Sequence, residues 1–492
     1  MRGDTLMAIV CAMAVGVMLL ISEISGRYLK APARTTRLTV HIASGTIAAL
    51  APLLFNERWW PAGVAVLALV GISVSLRRQW LPALHSARPT SLGTLWFAVS
   101  ALGLYLFAWD EPVLITIPLL VMAFADAAGV VVGEFRQNTI PLPAPLNGKT
   151  WDGSIGVFAL TGLTVSLCWE AFGLGPTGEA LLVGLACAPI VTAVEALSRR
   201  GFDNLSVPVA TAVTIVLIQT TSNQPQSLLI AEALGIALMA GAVKWRALTP
   251  DGAAGAFVIA AWIFGGGGMT WILPIFLFFI LSSGLSRINT RNRHAAEMIM
   301  AKGHQRDLAQ VLANGAVATA AFLAHLLGLP DSIAWAGMLG AVAAATADTW
   351  ATEIGTGFRQ EARLITTGGV VPAGTSGGVT IIGSVGSFLG ALAIGGSALL
   401  LAPVEGAIMF SCAIAGVLGG LTGSFTDSLL GATLQARFRC GNCDRLTERR
   451  THCEGEPTIH VSGWRIVDND AVNALAGIVG AGVAVAMLLL SR

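Results

Sequence analysis

Two stretches decide how this chain is read: ATADTWATEIG, residues 345–355, and VPAGTSGGVTIIGS, residues 371–384. The first is an apolar, small-residue helix end that carries Asp348 and Glu353. The second is a run of Gly, Ser and Thr that cannot pack a core but can close its backbone around an anion. A carboxylate at the edge of a bilayer is costly, so it marks a functional site by default. Acidic groups able to hold Mg²⁺, opposite a glycine loop able to hold phosphate, point to phosphoryl transfer.

Working outward, the chain around these acids is built for a bilayer. It is 54% apolar against 12% charged, where a soluble domain carries roughly 25% charged residues. Mean hydropathy is +0.73. Apolar runs of spanning length recur from residue 5 to residue 490, too many for a signal peptide or a single anchor. At roughly 20 residues per span the reading is an all-α polytopic membrane protein of about sixteen helices. The tenth and eleventh, 252–265 and 270–286, are separate in this reading. The net charge of +1 carries no nucleic-acid signature.

Charge placement supports that count. All of the 29 Lys and Arg except Arg2, Arg58 and Arg492 fall in alternate loops. The positive-inside rule makes the basic side cytoplasmic, with both termini on the other side. The polar stretch TSNQPQS, residues 221–227, divides the chain into modules at 1–222 and 228–492, eight helices each and entering in the same orientation. The halves echo one another: Asp126 precedes Gly133, and Asp348 precedes Gly355, each by seven residues. NGKTWDGSIG (147–156) follows the first pair, and AGTSGGVTIIG (373–383) the second.

In the first half, Asp126 interrupts an apolar helix. Lys149, between Gly148 and the Gly153–Ser154 helix start, makes an anion pocket out of backbone N–H groups and one ammonium. The P-loop pattern is absent. VEALSRRGFDNLSVP (194–208) adds Glu195, Asp203 and Asn204, and RLTVHIASG (37–45) puts Arg37 and His41 on one helix face.

These segments resemble the dolichol kinase and phytol kinase family. EALSRRGFDNLSVP is similar to its EAxxxxGxDNLTVP signature, GKTWDGSIG to its GKTxEGS-type loop, and RLTVHIASG to its RKxxHxxxG segment, with Leu38 where Lys is usual. The resemblance covers most of residues 27–220. It implies CTP-dependent phosphorylation of a prenyl alcohol of the phytol, farnesol or geranylgeraniol type. Asp126 and His41 would be catalytic. Lys149, Gly148, Gly153, Ser154, Asn204 and Arg37 would bind nucleotide and phosphate, and Asp203 and Glu195 would bind Mg²⁺. The same superfamily contains cytidylyltransferases making CDP-activated lipids, which leaves that reaction as the alternative.

In the second half, KGHQRDLAQVLANG (302–315) places Lys302, Arg306 and Asp307 ahead of a helix on which Gln310 and Asn314 share a face. GSFTDSLLGATLQ (423–435) adds Asp427, and IVDNDAVNALAG (466–477) adds Asp468, Asn469, Asp470 and Asn473. QRDLAQVLANG, ATADTWATEIG, ITTGGVVPAGTSGGVT, TDSLLGATLQ and DNDAVN together resemble the phytyl-phosphate kinase family, over about residues 245–490. This implies a second phosphorylation, monophosphate to diphosphate. Asp348 and Glu353 would be catalytic, and Asp307, Asp427 and Asp470 would bind Mg²⁺. Lys302, Arg306, Gly374, Thr375, Gly377 and Gly378 would lie on nucleotide and phosphate.

Finally, RCGNCDRLTERRTHCEG (439–455), in the basic loop 434–469, supplies Cys440, Cys443, His452 and Cys453. That set is adequate for tetrahedral zinc, with a loop of reduced thiols as the other reading. A two-module transporter also accommodates many helices with intramembrane acids. Its polar groups would sit near the midplane rather than at helix ends beside glycine loops.

Overall fold

The computed structural model describes residues 2–27, 32–78, 92–135, 139–220, 224–288, 305–358, 360–453 and 455–491. The fold is all-α and polytopic. Among the described residues, twelve helices are long and apolar enough to cross a membrane. That is fewer than the sixteen expected. Ala33–Ala49 and Gly93–Phe107 have only 17 and 15 residues. Asp331–Gly357, rich in Ala, Gly and Thr, does not meet the apolarity criterion. The expected spans 252–265 and 270–286 correspond to one element, Pro250–Leu285, which counts once although it is broken at Gly268.

The chain divides into two compact units, Met1–Leu234 and Gly235–Arg492. The division falls inside a helix, Gln224–Lys244, rather than in the polar stretch that precedes it.

Unit 1 contains α1 (Arg2–Arg27), α2 (Ala33–Ala49), the four-residue α3 (Ala51–Leu54), α4 (Trp59–Arg78), α5 (Gly93–Phe107), α6 (Val113–Phe135), α7 (Trp151–Ala171), α8 (Thr177–Leu197) and α9 (Asp203–Thr220). Helix α10 (Gln224–Lys244) follows. One apolar cluster, including Phe55, Tyr105, Ile115 and Leu119, joins α1 to α6. Tyr105 satisfies its hydroxyl there by donating to the Ala48 carbonyl at 2.7 Å. At the other end of the unit α6 meets α7 along glycines. A methyl group on Gly133 would come within 3.0 Å of Thr150 Oγ1 and 3.3 Å of Gly153 Cα. Small residues at such a crossing let two backbones approach closely.

Unit 2 contains α11 (Pro250–Leu285), α12 (Leu308–Leu326), α13 (Asp331–Gly357), α14 (Ile381–Leu401), α15 (Gly406–Thr433) and α16 (Asn469–Leu490). Helix α11 is broken at Gly268, where φ is +64°, a conformation that glycine adopts without steric cost. Both outer ends of α11 lie at the same end of the unit. Thr249 N donates to Arg306 O at 3.0 Å, and Ser286 Oγ donates to Glu353 Oε1 at 2.5 Å. The break meets the opposite end, where Trp271 stacks on His325 and packs edge-on against Trp335. Two antiparallel limbs are therefore present, as the sequence pattern implied.

Helix α13 is the centre of unit 2, and more than half of its buried residues are Ala or Gly. A Cβ on Gly340 would collide with the Gly480 carbonyl of α16 and come within 2.6 Å of Ala484 Cβ. Short strands follow the helix. β1 (Ala362–Leu364) pairs antiparallel with β2 (Val370–Val371) on one side and β3 (Gly378–Val379) on the other. The glycine turn between β2 and β3 is thus pinned at both flanks. Between α15 and α16, β4 (Arg437–Arg439) is flanked by β5 (Leu446–Thr447) and β8 (Ile459–Ser462), and β6 (Thr451–His452) pairs with β7 (Glu456–Pro457).

Gly340→Leu should lower the thermal unfolding midpoint of the detergent-solubilised protein, by an overpacking cost of about 1–3 kcal/mol. Gly396→Ala, where a methyl group meets nothing within 4 Å, should leave the midpoint unchanged or slightly raised. Tryptophan fluorescence melts of the two variants against the parent chain check this.

Candidate active site

Unit 1 brings five elements to one point. His41 comes from α2, Asp126 from α6, Lys149 from the turn before α7, Glu195 from the end of α8 and Asp203 from the start of α9. Lys149 Nζ donates to Glu195 Oε1 and lies 3.5 Å from Asp203 Oδ2. One carboxylate oxygen from each of Asp126, Glu195 and Asp203 lies within 4.8 Å of the others. His41 Nε2 is 3.5 Å from Asp126 Oδ2 and 3.3 Å from the Met122 carbonyl.

Three ionised carboxylates against one ammonium leave an excess of two negative charges, in a place where Glu195 is only 5% exposed. Such an excess needs a cation or protons. The oxygen-only donor set and the charge both fit Mg²⁺. Burial alone would pull Lys149 down. The carboxylates of Glu195 and Asp203, with Asp126 behind them, outweigh it and hold the ammonium above its ordinary value. Asn204 is buried beside this cluster with Oδ1 unpartnered, and the hydroxyl of Ser154 is also buried and unpartnered.

Other calls in this half are corrected. Gly153 is part of the helix seam, where its missing side chain lets the α6 backbone approach, and its N–H donates to the Thr150 cap at 3.1 Å. Its place in the seam is a packing role. Gly148 is exposed, with nothing within 4 Å of where a Cβ would stand, and Arg37 stands one turn before His41 on α2.

In unit 2 the corresponding residues surround a cavity of about 420 Å³. The carboxyl groups of Asp348 on α13 and Asp427 on α15 lie within hydrogen-bonding reach of each other. Asp427 Oδ2 is buried without a partner. Two facing carboxyls are stable only with a shared proton or a bound cation, and the oxygen donors again fit Mg²⁺. Glu353 also lines the cavity and holds Ser286. Opposite the acids is the turn Gly374–Gly378, with φ of +86° at Gly374 and +77° at Gly377. A Cβ at Gly377 would come within 2.5 Å of Ala432 Cβ, so glycine is required there. Thr375 N and Gly378 N donate to Pro372 O and Thr375 O, which leaves those two N–H groups engaged in the turn itself.

Arg306 faces the same cavity, its guanidinium 4.9 Å above the Phe278 ring with Nη1 buried and unpartnered. Burial pulls it down to about 10, partly opposed by Glu353, so it stays cationic near neutral pH. A buried cation with an open donor, facing carboxylates and a glycine turn, suits a polyanionic ligand. Gln310, Asn314, Asn469 and Asn473 complete the polar wall.

Two acidic calls fail here. Asp307 caps α12: it accepts from Gln310 N at 3.0 Å, while the Gln310 side chain accepts from Asp307 N, a capping box that leaves it outside the cavity wall. Asp470 does not line the cavity; its neighbours Asn469 and Asn473 do, because the helix turns Asp470 to another face. Lys302 lies outside the described residues.

The two sites share one local construction. A Cβ on Gly355 would come within 3.0 Å of Thr380 Oγ1 and 3.3 Å of Gly383 Cα, the same distances at which one on Gly133 would meet Thr150 Oγ1 and Gly153 Cα. Thr150 and Thr380 each cap the following helix by accepting from the N–H three residues on.

The sequence reading missed Glu448, which lines the unit 2 cavity and bonds to Ser376, and Arg437, which donates to Ser376 O at 2.8 Å. Both lie in the basic 434–469 segment, where charge marks topology and nothing local separates a ligand-facing acid from a solvated one. Cys440, Cys443, His452 and Cys453 come together with their ligand atoms within 4.8 Å. Backbone N–H groups of Cys443 and Asn442 aimed at its sulfur pull the Cys440 thiol down to about 6.

Comparison with known proteins yields relatives but no matching solved structure. Phytol kinase of Synechocystis sp. is 33% identical over 202 residues, 40% of this chain and 85% of that protein. An uncharacterized membrane protein of Methanocaldococcus jannaschii is 31% identical over 199 residues, 39% of this chain and 77% of that protein. Protein PGR of Arabidopsis thaliana is 30% identical over 223 residues, 40% of this chain and 75% of that protein. Residues 233–481 match the family described as "Integral membrane protein DUF92". With twelve helices among the described residues long and apolar enough to cross a membrane, and half its length in that match, the chain belongs to the DUF92 family of integral membrane proteins.

Proposed function

We propose that this protein is a membrane phosphotransferase that acts twice on a prenyl chain, unit 1 converting the alcohol to its monophosphate and unit 2 the monophosphate to its diphosphate. CTP is the donor, and Mg²⁺ is needed at both sites, each of which opens to the cytoplasm. The observation that carries the reading is the unit 2 cavity, where Asp348 and Asp427 face a glycine turn with Arg306 alongside. The similarity to a phytol kinase supports a prenyl alcohol as the first substrate.

The two steps make different chemical demands, and the two sites differ accordingly. An alcohol is a weak nucleophile until a base takes its proton. In unit 1 the Asp126 carboxylate, oriented by His41 at 3.5 Å, accepts that proton as the alcohol oxygen attacks the terminal phosphorus and CDP departs. Lys149 neutralises the phosphate as it arrives, and Asn204 and Ser154 offer polar groups to orient it. A phosphate monoester, with its second pKa of about 6, is already largely ionised and needs no base. Its difficulty is repulsion between two anions. Arg306 and the glycine turn hold the polyphosphate in unit 2, while Asp348 and Asp427 hold the divalent ion. When bound, Mg²⁺ supplies charge neutralisation of the transferring phosphoryl group.

Purified protein in lipid, incubated with CTP, Mg²⁺ and phytol, farnesol or geranylgeraniol, should give mono- and diphosphates with release of CDP. Release of pyrophosphate with a CDP-lipid product would replace the reading with cytidylyl transfer. Asp348→Asn should cut diphosphate formation by about 10²-fold or more while monophosphate accumulates, since it removes charge held for the transition state. Simultaneous loss of both products would contradict the division of labour. Lys149→Met should show the reverse. Alcohol is no longer consumed, yet prenyl monophosphate added from outside still becomes diphosphate. Chelation of Mg²⁺ should stop both steps, as followed by thin-layer chromatography of labelled lipid.

A further inference from the structure

The segment between α15 and α16 holds Cys440, Cys443, His452 and Cys453, one ligand atom of each within 4.8 Å of the rest. A tetrahedral ion with Zn–S about 2.3 Å and Zn–N about 2.0 Å sets each sulfur about 3.5 Å from the nitrogen. Cys443 Sγ is 3.5 Å from His452 Nδ1, and Cys453 Sγ is 3.2 Å from the same atom. Adjacent residues rarely aim at one point. Here Cys453 adopts φ of +39°, and that left-handed turn brings its side chain round to the side of His452. Cys440 and Cys443 lie at the mouth of the β4–β5 hairpin, tightened by Cys440 N to Arg445 O and Asp444 N to Cys440 O, both 3.0 Å.

The same segment reaches the unit 2 cavity. Glu448 sits between the two ligand pairs in sequence, and its carboxylate accepts from Ser376 Oγ in the glycine turn. Arg437, at the start of β4, donates to Ser376 O at 2.8 Å and Gly431 O at 3.0 Å. Both groups that grip Ser376 are therefore carried by the ribbon that the Cys and His side chains close.

We propose that Cys440, Cys443, His452 and Cys453 bind one structural zinc ion, and that this ion positions Glu448 and Arg437 so that they hold the Gly374–Gly378 turn in shape. The second clause deepens the kinase reading of unit 2; the zinc site itself does not depend on it. Glu448 and Arg437 are positioning residues, acting on the substrate only through Ser376.

The test uses the full chain purified in detergent without chelator. Elemental analysis should find about one zinc per chain, falling below about a tenth in Cys440→Ser and in Cys443→Ser. Parent protein without stoichiometric zinc, or zinc retained in both variants, would overturn the site. Hydrogen exchange at the amides of residues 371–380 should rise when a tight chelator strips the parent protein and return to its first value when zinc is added back. Exchange there unchanged on zinc loss would overturn the positioning role. Stripping and restoring the parent chain keeps the test valid if a cysteine variant fails to fold. Neither readout requires turnover, so failure of the kinase reading would appear separately, as zinc-loaded protein with a protected turn and no phosphorylated product.

Discussion

The close approach of two helices at a pair of glycines governs both units. Gly133 against Gly153, and Gly355 against Gly383, let a carboxylate-bearing helix lie directly beside the start of the next helix, with a threonine cap between them. A side chain at any of these glycines would push the pair apart. Asp126 and Asp348, each seven residues before the first glycine of its pair, would then no longer stand two turns inside the helix end and against the partners that surround them. Packing at the seam fixes the position of the acids, and the acids define the chemistry.

Electrostatics then limits what the sites can hold. Carboxylates gathered in a partly dry pocket are stable only with compensation. In unit 1 a single ammonium, Lys149, compensates in part and leaves room for a divalent cation. In unit 2 the facing pair Asp348 and Asp427 has Arg306 and a glycine turn across the cavity rather than a lysine between them. One arrangement keeps a carboxylate and an imidazole next to each other, as proton removal requires. The other separates cationic and anionic groups across a cavity, as binding of a polyanion with its metal requires. The two sites thus differ in how charge is arranged on a common helical frame.

The cysteine ribbon ties a distant part of the chain to that frame. Its short strands could not fold as an isolated sheet, since pairs of two or three residues bury too little. Through Glu448 and Arg437, which bond to Ser376, the ribbon reaches the glycine turn. A loop that the sequence marks only by cysteines and positive charge becomes a wall of the cavity.

Composition and the spacing of apolar runs by themselves determined the fold class, because a bilayer imposes length and apolarity on every segment that crosses it. They also marked Asp126, Asp348 and Asp427, since an acid inside an apolar run is conspicuous, whereas Asp203 was marked by the DNLSVP segment that carries it. The caps were only partly legible. Asp307 and Asp470 looked like site acids, but whether an acid at a helix start turns toward a cavity or back onto its own N–H groups depends on rotation about the helix axis, which a linear pattern near an end does not fix. Gly153 likewise read as a phosphate donor, when the neighbouring helix had already claimed its open side. Only tertiary structure decided that Lys149 pairs with Glu195 and Asp203, that α11 turns back at Gly268, and that Glu448 reaches Ser376, 72 residues away. The reason is physical: contacts between distant segments are set by how helices pack in three dimensions, and no local periodicity records them.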